Sequence, residues 1–546
     1  MTSRLNKIFF KKYQSILSGA TIIGLMFALT SILGFIKNRL LVSLFGDSKE
    51  LGLFFGADII PSAILKIITI GFLSAALIPV FLKAKKYNEE NAYRIASYAL
   101  NLLIIIVGLF SIIVFFSADF LAENVIASQN IPIDSVSALT PADYQLMANL
   151  MRWMMIPQIL LMISSFFITI QRAHHKFFIS ALPPLAYNIG LITFLMFTSK
   201  PNIYMPIYGM IFGSLLHTLI PIISIRKEFD FKYFFELRLK NELFREILRL
   251  SVIRSASEVI PYLLVIFRSN LIYGISAASM TIWTLSNSIF MAPINILGVS
   301  LAQASLPILS STLQNEGIDH FKKILMTTIT QVMFFALPFC VLVLVLRIPL
   351  VKLAYGTENL SIWAINMTAY TLAFLSIYIP TTTLEGLVIR AFYSLQDTIT
   401  PVLTSLLSVL INIALSYYFI VLLGLGLWSL GLSTTIASFI NLGLMIIILI
   451  KRIEITGLKD FIWRINKLGF SALFMAISLY IPYKLLDKFV LDTNLTYQLI
   501  TLTITVSIIG TAVYLLFSIV LKVEELILIK KIIKRIQIQK PRLSFK

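Results

Sequence analysis

Long apolar runs alternate with short charged segments along almost the whole chain. Leu102 to Phe116 and Trp428 to Ile450 are two such runs without a charged residue. A helix needs roughly 20 mostly apolar residues to cross a bilayer. Barrel strands, the other structure that can span lipid, alternate apolar and polar residues instead. The pattern therefore predicts an all-α polytopic membrane protein.

The apolar runs predict about fourteen transmembrane helices. Their predicted bounds are 15–46, 51–82, 95–116, 146–171, 180–199, 204–225, 248–273, 277–311, 324–347, 361–389, 398–423, 428–450, 465–486 and 497–521. The first, second, eighth and tenth are longer than a bilayer requires, so we expect them to tilt, bend or protrude.

Composition supports lipid as the main solvent of this chain. Of its 546 residues, 58% are hydrophobic and only 13% are charged, and its mean hydropathy is +0.90. A soluble domain has about 25% charged residues. The net charge of +19 suits either nucleic-acid binding or cytoplasmic loops that fix orientation. Because the charges lie between apolar runs, we expect a bilayer-embedded protein that binds no nucleic acid.

The cations are concentrated in alternate loops. These cation-rich segments are 7–12, 83–94, 172–176, 226–245, 451–467 and 530–546. The longest loop on the opposite side, Ser117 to Tyr144, contains no Lys or Arg. Lys and Arg are enriched on the cytoplasmic side of membranes. We therefore predict that both termini are cytoplasmic, which requires an even number of helices.

Two short sequence echoes recur six helices apart. Arg172-Ala173 stands eleven residues before Pro183, and Arg390-Ala391 stands eleven residues before Pro401. Residues 74–79 and 302–307 are also similar and both end in proline. An offset of six helices preserves membrane orientation, so the repeats should be related by an axis along the membrane normal.

The repeat predicts two six-helix lobes around a central cleft, followed by two extra helices. The predicted boundaries are 1–227 for the first lobe, 228–455 for the second, 456–521 for the extra helices and 522–546 for a basic cytoplasmic tail. A substrate in such a cleft can face each side of the membrane in turn.

Several charged residues lie within the predicted spans, where each costs several kcal/mol unless it faces a cavity or a partner. They are Lys37, Arg39, Asp58, Lys66, Arg152, Arg254, Glu258, Arg268 and Glu385. Snorkelling at helix ends explains Arg152 and is an alternative for Arg254 and Arg39. It suits Lys66 poorly, because Lys66 lies in the middle of its helix.

We predict that six of these residues bind substrate in the cleft: Lys37, Arg39, Lys66, Arg254, Glu258 and Arg268. Arg254 and Glu258 are spaced i,i+4, so they share a helix face. Arg268 is fourteen residues beyond Arg254, which places it about 21 Å further along nearly the same face. A polar stripe of this length is what a translocation path needs.

The sequence contains no motif typical of an enzyme or of a cofactor site. Walker motifs, Gly-rich phosphate loops and nucleophile elbows are absent, which argues against an ATP-driven pump and predicts no cofactor. His174 and His175 have no Cys, Asp or Glu at ligand spacing, so no metal site is predicted. The single cysteine, Cys340, lies in an apolar run and is interpreted as a packing residue.

Four ordered segments carry a family resemblance. They are Leu33-Gly34-Phe35 with Lys37-Asn38 and Leu44-Phe45-Gly46; Gly71, Ser74, Ala76 and Pro79; Leu297-Gly298-Val299 through Leu306-Pro307; and Phe392-Tyr393-Ser394-Leu395-Gln396-Asp397-Thr398 with Thr400-Pro401. They resemble, in order, the S-R-V-L-G-F-x-R-D…I-F-G, E-G-A-F-S-x-A-F-x-P, L-G-V-A…L-P-x-L and F-Y-[SA]-x-x-D-T-x-T-P segments of the MurJ/MviN family. The last match is the most specific.

This resemblance implies a fourteen-helix flippase of the MOP exporter superfamily in the bacterial inner membrane. Such proteins move lipid II, the undecaprenyl-pyrophosphate-linked peptidoglycan precursor, from the inner to the outer leaflet. The partners it implies are lipid II and the phospholipid bilayer, together with a coupling ion or the membrane potential. The family's central cations meet the pyrophosphate of the substrate, a role that the resemblance assigns here to Lys37 and Lys66.

The chain departs from the family pattern at several charged positions. The family's arginine in S-R-V-L-G-F falls on Ser31, the next arginine on Lys37, and the acid beside it on Asn38. The arginine pair of the second helix falls on Leu65-Lys66, and the arginine of the eighth helix falls on Ser288. Lysine neutralises phosphate but lacks the bidentate fork of arginine.

Two other functions fit parts of the sequence. Another MOP-type exporter, a polysaccharide-unit flippase or a multidrug antiporter, would have the same fold, although an antiporter of cationic drugs should have an acidic cavity. A membrane glycosyltransferase with a polyprenyl donor should place paired acids on an outer loop. The acids between 117 and 144 are scattered, so we predict a transporter and not an enzyme.

Overall fold

The computed structural model describes residues 16–128, 138–174, 176–198, 200–228, 231–295, 300–454, 457–493 and 495–527. These described residues form helices and short connections, with no strand among them. Residues 528–546, which include most of the predicted tail, lie outside the described part of the chain.

The helices are numbered in chain order. They are α1 Ile16–Phe45, α2 Lys49–Ala57, α3 Ile59–Ile68, α4 Ile78–Tyr87, α5 Glu89–Phe120, α6 Pro141–Ala173, α7 Phe177–Ala181, α8 Pro183–Met196, α9 Tyr204–Glu228, α10 Glu242–Ile275, α11 Ala277–Pro293, α12 Ser300–Asn315, α13 Ile318–Val345, α14 Arg347–Tyr355, α15 Ile362–Ser394, α16 Ile399–Tyr417, α17 Trp428–Ile453, α18 Leu458–Phe489 and α19 Thr496–Val520. Three π-helical stretches, Thr69–Leu77, Leu121–Ile126 and Tyr418–Leu422, continue α3, α5 and α16.

The predicted fold class is confirmed. Within the described residues, thirteen helical stretches are long and apolar enough to cross a membrane. Each overlaps a predicted helix: the first predicted helix corresponds to Ile16–Phe45 and the last to Thr496–Val520, whereas the third, predicted as 95–116, corresponds to the longer stretch Glu89–Ile126. The eighth predicted helix, 277–311, corresponds to the two shorter helices α11 and α12, and residues 296–299 between them are outside the described ranges.

The fifth predicted helix begins later than expected. A short helix, α7, ends at Ala181, and the spanning helix α8 begins at Pro183. Proline has no backbone N–H, so it is tolerated in the first turn of a helix but not in the interior. The Pro183-Pro184 pair therefore separates the two helices.

The sequence echoes occupy matching local structures. Arg172 lies in the last turn of α6, and Pro183 opens α8. Arg390 lies in the last part of α15, and Pro401 lies in the first turn of α16. Each echo therefore covers the end of one helix and the proline-marked start of a following one.

The chain divides into two compact units. The first comprises Met1–Ser288, Ala354–Thr368 and Val409–Ser433, and the second comprises Ile289–Leu353, Ala369–Ser408 and Thr434–Lys546. The division into lobes at 227 and 455 remains a prediction.

An apolar core of the first unit forms around α5. Fully buried residues of this core include Phe81, Phe166 and Phe244, from α4, α6 and α10. Gly52 and Gly56 on α2 allow another close approach within the unit. A side chain at Gly52 would overlap the carbonyl of Ala277, and one at Gly56 would overlap the Tyr273 hydroxyl. Small residues four apart commonly permit such contacts between membrane helices.

The described residues of the second unit form two apolar cores. One is formed by α13, α15 and α17, with Phe321, Phe392 and Met445 fully buried. The other is formed where α13 packs against α18 and α19. There the Tyr514 hydroxyl donates a hydrogen bond of 2.8 Å to the carbonyl of Phe334, which satisfies a buried polar group.

Candidate translocation site

A break in the second predicted helix places a carboxylate inside a membrane span. Helix α2 ends at Ala57 and α3 begins at Ile59, with Asp58 between them. Pro61 has no backbone N–H to donate to the carbonyl of Ala57, so a regular helix cannot continue through this point. Asp58 therefore lies at the junction of two helices.

Neutral side chains hold the Asp58 carboxylate in place. The Ser62 hydroxyl donates a hydrogen bond of 2.7 Å to Oδ2. The Gln158 amide, on α6, donates one of 3.3 Å to Oδ1. Gln158 is buried, so this contact holds the Asp58 carboxylate against α6.

The charge of Asp58 interacts with both Lys37 and Lys66. Lys37 lies on α1 and is half-buried, whereas Lys66 lies on α3 and is exposed. Two of the six predicted site residues therefore lie within electrostatic range of one carboxylate.

Helix α10 contributes Glu258 to the same region. The Glu258 and Asp58 charges both act on the phenol of Tyr262, one turn beyond Glu258. The charge of Asp58 also acts on the phenol of Tyr187, on α8. Side chains of α1, α3, α8 and α10 therefore lie within electrostatic range of Asp58.

The remaining predicted residues have separate environments. The Arg268 guanidinium lies over the Trp283 ring, with its carbon 4.6 Å from the ring centroid, a distance at which cation–π attraction is effective. Arg39 is half-buried on α1. Arg254 belongs to α10, but its side chain is outside those described. That all six residues bind substrate in one cleft remains a prediction.

Two departures from the family pattern are in direct contact. The Asn38 amide donates a hydrogen bond of 3.1 Å to the Ser288 hydroxyl, although the two residues are 250 positions apart. The resemblance places an acid at the first position and an arginine at the second. Relative to the family pattern, the neutral Asn38–Ser288 pair lacks one negative and one positive charge. The two changes together therefore leave the net charge of the region the same.

Sequence reasoning placed Asp58 inside a span but left it out of the substrate site. Its central position depends on the packing of α1 and α6 against the α2–α3 junction, which no sequence spacing specifies. A signal was nevertheless present, because Pro61 follows Asp58 by three residues. A charged residue just before a helix-breaking proline in a span is free to turn away from the regular helix surface.

The family model described as "Lipid II flippase MurJ" matches residues 41–500. The chain belongs to this family. A relative from Buchnera aphidicola subsp. Acyrthosiphon pisum, named "Probable lipid II flippase MurJ", is 25% identical over 431 residues, which are 77% of this chain and 81% of the relative. The family resemblance is thereby confirmed.

Solved structures agree on the fold. A lipid II flippase MurJ in an inward closed conformation superposes with a TM-score of 0.71 at 19% identity, covering 90% of this chain and 98% of its own. An inward-facing multidrug resistance MATE family transporter of the MOP superfamily gives 0.66 at 14% identity, covering 79% of this chain and 98% of its own. The fold is therefore one that the family shares with MATE transporters.

Proposed function

We propose that this protein is a flippase for lipid II in peptidoglycan biosynthesis. It moves the lipid-linked precursor from the inner to the outer leaflet by alternating access. Family membership over residues 41–500 supports this function. The observation that carries it is that Lys37 and Lys66 both lie within electrostatic range of the intramembrane carboxylate of Asp58.

The lysine pair provides what a pyrophosphate needs when it leaves water. Burying an isolated charge is very costly unless it is paired and hydrogen-bonded, and hydrogen bonds between ammonium and phosphate groups are among the strong ones. Without substrate, Asp58 offsets the lysines. A pyrophosphate carries more negative charge than one carboxylate, so it competes with Asp58 for both ammonium groups.

A multidrug antiporter is the second candidate function. A cationic drug needs an excess of acid at its binding site, but Lys37 and Lys66 balance the charges of Asp58 and Glu258 among the side chains described there. The likeness to MATE transporters rests on the fold, with 14% identity. We therefore retain the flippase as the function and propose no chemical step on the substrate.

Complementation tests this function directly. The host's own lipid II flippase is depleted in a bacterium that carries this chain on an inducible plasmid. We expect growth and normal cell shape to be restored, with an empty plasmid as the negative control and the host flippase on the same plasmid as the positive one. In parallel, the purified chain is reconstituted in liposomes with fluorescent lipid II, and an impermeant quencher measures how much crosses. Neither rescue nor flipping by correctly inserted protein would contradict the proposal.

We further propose that the protein lies in the bacterial plasma membrane with both termini in the cytoplasm. The charge asymmetry of the loops supports this orientation. The Lys83–Glu246 ion pair, 2.9 Å long, joins the cation-rich segment 83–94 to the residue that follows the segment 226–245. A coupling ion or the membrane potential then supplies the energy for directional transport.

Cysteine labelling checks the orientation. In a Cys340→Ala background, Asn124→Cys is expected to react with an impermeant thiol reagent added outside intact cells, whereas Lys240→Cys reacts only after the cells are opened. Both positions are exposed, and the sole native thiol, Cys340, is buried. The reverse labelling pattern would show that the termini face outward.

A further inference from the structure

A groove in the surface of the first unit runs between α5 and α6. Its volume is about 610 Å³, and its lining is mostly apolar. Ile112 and Phe116 line it from α5, and Ile156 and Ile159 line it from α6. The side chains of Ile112, Phe116 and Ile156 are exposed. Because the groove lies on two spanning helices, lipid tails can enter it from the bilayer.

A guanidinium group lies at one end of this groove. Arg152, on α6, donates a hydrogen bond of 3.0 Å from Nε to the carbonyl of Phe115. It donates one of 2.8 Å from Nη1 to Asn149 Oδ1 and one of 2.5 Å from Nη2 to Asp119 Oδ2. An arginine has five N–H groups, so two remain beyond these contacts with the described residues. The Arg152 side chain is 22% exposed, and a ligand in the groove can therefore reach it.

The Asp119 carboxylate is the second charged group at this end of the groove. Asp119 lies one turn beyond Phe115 on α5, and its side chain is 62% exposed. The two oxygens of a carboxylate offer about four acceptor sites, so Asp119 can accept from a ligand while it binds Arg152. A partly exposed ion pair stabilises a protein only slightly. A ligand with charges of both signs therefore competes with this pair at little cost.

The apolar part of the groove extends from the ion pair into the span. Ile159 is seven residues beyond Arg152 on α6, which is about 10 Å along the helix. Trp153, beside Arg152, packs edge-on against Tyr208 of α9, with ring centroids 6.5 Å apart. Trp and Tyr are enriched at the level of the lipid headgroups. The charged end of the groove thus suits a headgroup, and the apolar part suits an acyl chain.

We propose that this groove binds phosphatidylethanolamine, a phospholipid whose headgroup carries both a phosphate and a primary ammonium. The phosphate accepts from the Arg152 guanidinium, the ammonium donates to the Asp119 carboxylate, and one acyl chain lies along the groove. An acyl chain gains little by leaving the bilayer for an apolar groove, because both are equally apolar. Selectivity therefore comes from the two headgroup charges. In the proposed orientation this end of α5 and α6 faces outward, so the lipid belongs to the outer leaflet.

Two other phospholipids with the same acyl chains test each headgroup contact. Phosphatidylcholine keeps both charges, but its trimethylated ammonium has no N–H to donate to Asp119. Phosphatidylglycerol has no ammonium, so it places its phosphate beside Asp119 without a compensating cation. Each loses one charge-assisted hydrogen bond, and we expect each to bind about tenfold more weakly than phosphatidylethanolamine.

Thermal unfolding of the purified, delipidated full chain in detergent micelles measures this binding. A ligand that binds only the folded state raises the unfolding midpoint. Phosphatidylethanolamine should raise it at about one tenth of the mole fraction that the other two lipids need. Arg152→Gln should weaken the response to all three lipids. Lys49→Gln is the matched control, because it removes a cation from another ion pair of the first unit, with Asp143 at 2.9 Å, and it should respond as the wild type does.

Asp119→Asn should produce a change of preference that a purely structural role would not. The substitution removes the acceptor for the ammonium and leaves the positive charge of Arg152 unbalanced. The preferred lipid should therefore change from phosphatidylethanolamine to phosphatidylglycerol. This variant also keeps the proposal testable should Arg152→Gln fold poorly.

Fluorescence of Trp153 locates the bound lipid. Trp153 is 44% exposed and lines the groove, and bromine atoms on an acyl chain quench an indole that they contact. The difference in emission between the wild type and Trp153→Phe isolates this tryptophan from the others. Brominated phosphatidylethanolamine should quench that difference at about one tenth of the mole fraction that brominated phosphatidylcholine needs.

Several results would overturn the proposal. Equal responses to the three lipids would mean that the groove takes any phospholipid, and a midpoint that none of them raises would leave it to a protein partner. Retention of the phosphatidylethanolamine preference in Asp119→Asn, or unquenched Trp153 emission, would place the lipid elsewhere. None of these measurements uses lipid II, so they decide on this site independently of the flippase function.

Discussion

Replacing Lys66 by alanine is expected to abolish rescue of a flippase-depleted host, and Lys37→Ala is expected to do the same. Each lysine offers a charge-assisted hydrogen bond worth about 1.5–3 kcal/mol, so the loss of one weakens headgroup binding by roughly 10- to 150-fold. Lys66→Arg should retain rescue, because the requirement is for positive charge. Growth after depletion, at matched protein levels in the membrane, is the measurement.

Lys83→Ala is the matched control for this series. Lys83 is also a lysine of the first unit, but it lies near the end of α4 and pairs with Glu246 at the loop side of its helix. Its removal should leave rescue intact. Full activity of a Lys37→Ala/Lys66→Ala double variant, with normal expression, would exclude these lysines as headgroup ligands. The substrate would then lack a pyrophosphate, and a multidrug exporter would become the better proposal.

The bilayer explains why the helices were predictable from sequence. Every spanning segment must be helical and apolar over a nearly fixed length, so the apolar runs alone place both ends of α19 and the C-terminal end of α1 within a residue of those observed. Differences occur where a local rule overrides hydropathy. Pro183 divides the fifth predicted helix, and Pro61 divides the second at Asp58.

The partners of the charged residues were not predictable in the same way. Lys37 and Asp58 are on different helices, and Asn38 contacts Ser288 from a distance of 250 residues along the chain. Such contacts depend on how helices rotate and pack, which depends on many small steric fits. Sequence spacing gives only pairs within one helix, such as Arg254 and Glu258. It therefore suggested a stripe along α10 and left out Asp58, whose charge interacts with both lysines.

The most specific family match has a structural explanation in the second unit. Asp397 lies between α15 and α16 and caps the latter, because its Oδ1 accepts backbone N–H bonds from Ile399 at 3.1 Å and Thr400 at 3.0 Å. Its Oδ2 accepts the Thr400 hydroxyl at 2.6 Å and also binds Arg452 at the end of α17. Gln396, just before it, has a positive φ of 59°, which turns the chain tightly enough for the cap to form. The aspartate, threonine and following proline of the motif thus build one helix start.

Asp397→Asn is expected to lower the free energy of unfolding by about 2 kcal/mol, because it replaces the Oδ2 atom that accepts the Thr400 hydroxyl and removes the charge that binds Arg452. Burial by itself would raise the pKa of Asp397, but the hydrogen bonds from Thr400 and the charge of Arg452 lower that pKa below its usual value. A carboxyl whose folded pKa is depressed stabilises the protein fully above the unfolded value, about 3.9 for aspartate, and loses that contribution as the pH falls through the folded pKa. Thermal unfolding of the purified protein should therefore show a constant difference in stability between the wild type and Asp397→Asn from about pH 7 to about pH 5, and a shrinking difference below about pH 4.

Asp460→Asn, which changes an exposed acid in the first turn of α18, is the control and should show little difference from the wild type throughout. A gap between wild type and Asp397→Asn that is absent at neutral pH, or that widens on acidification, would mean that the ionised carboxylate does not stabilise this connection.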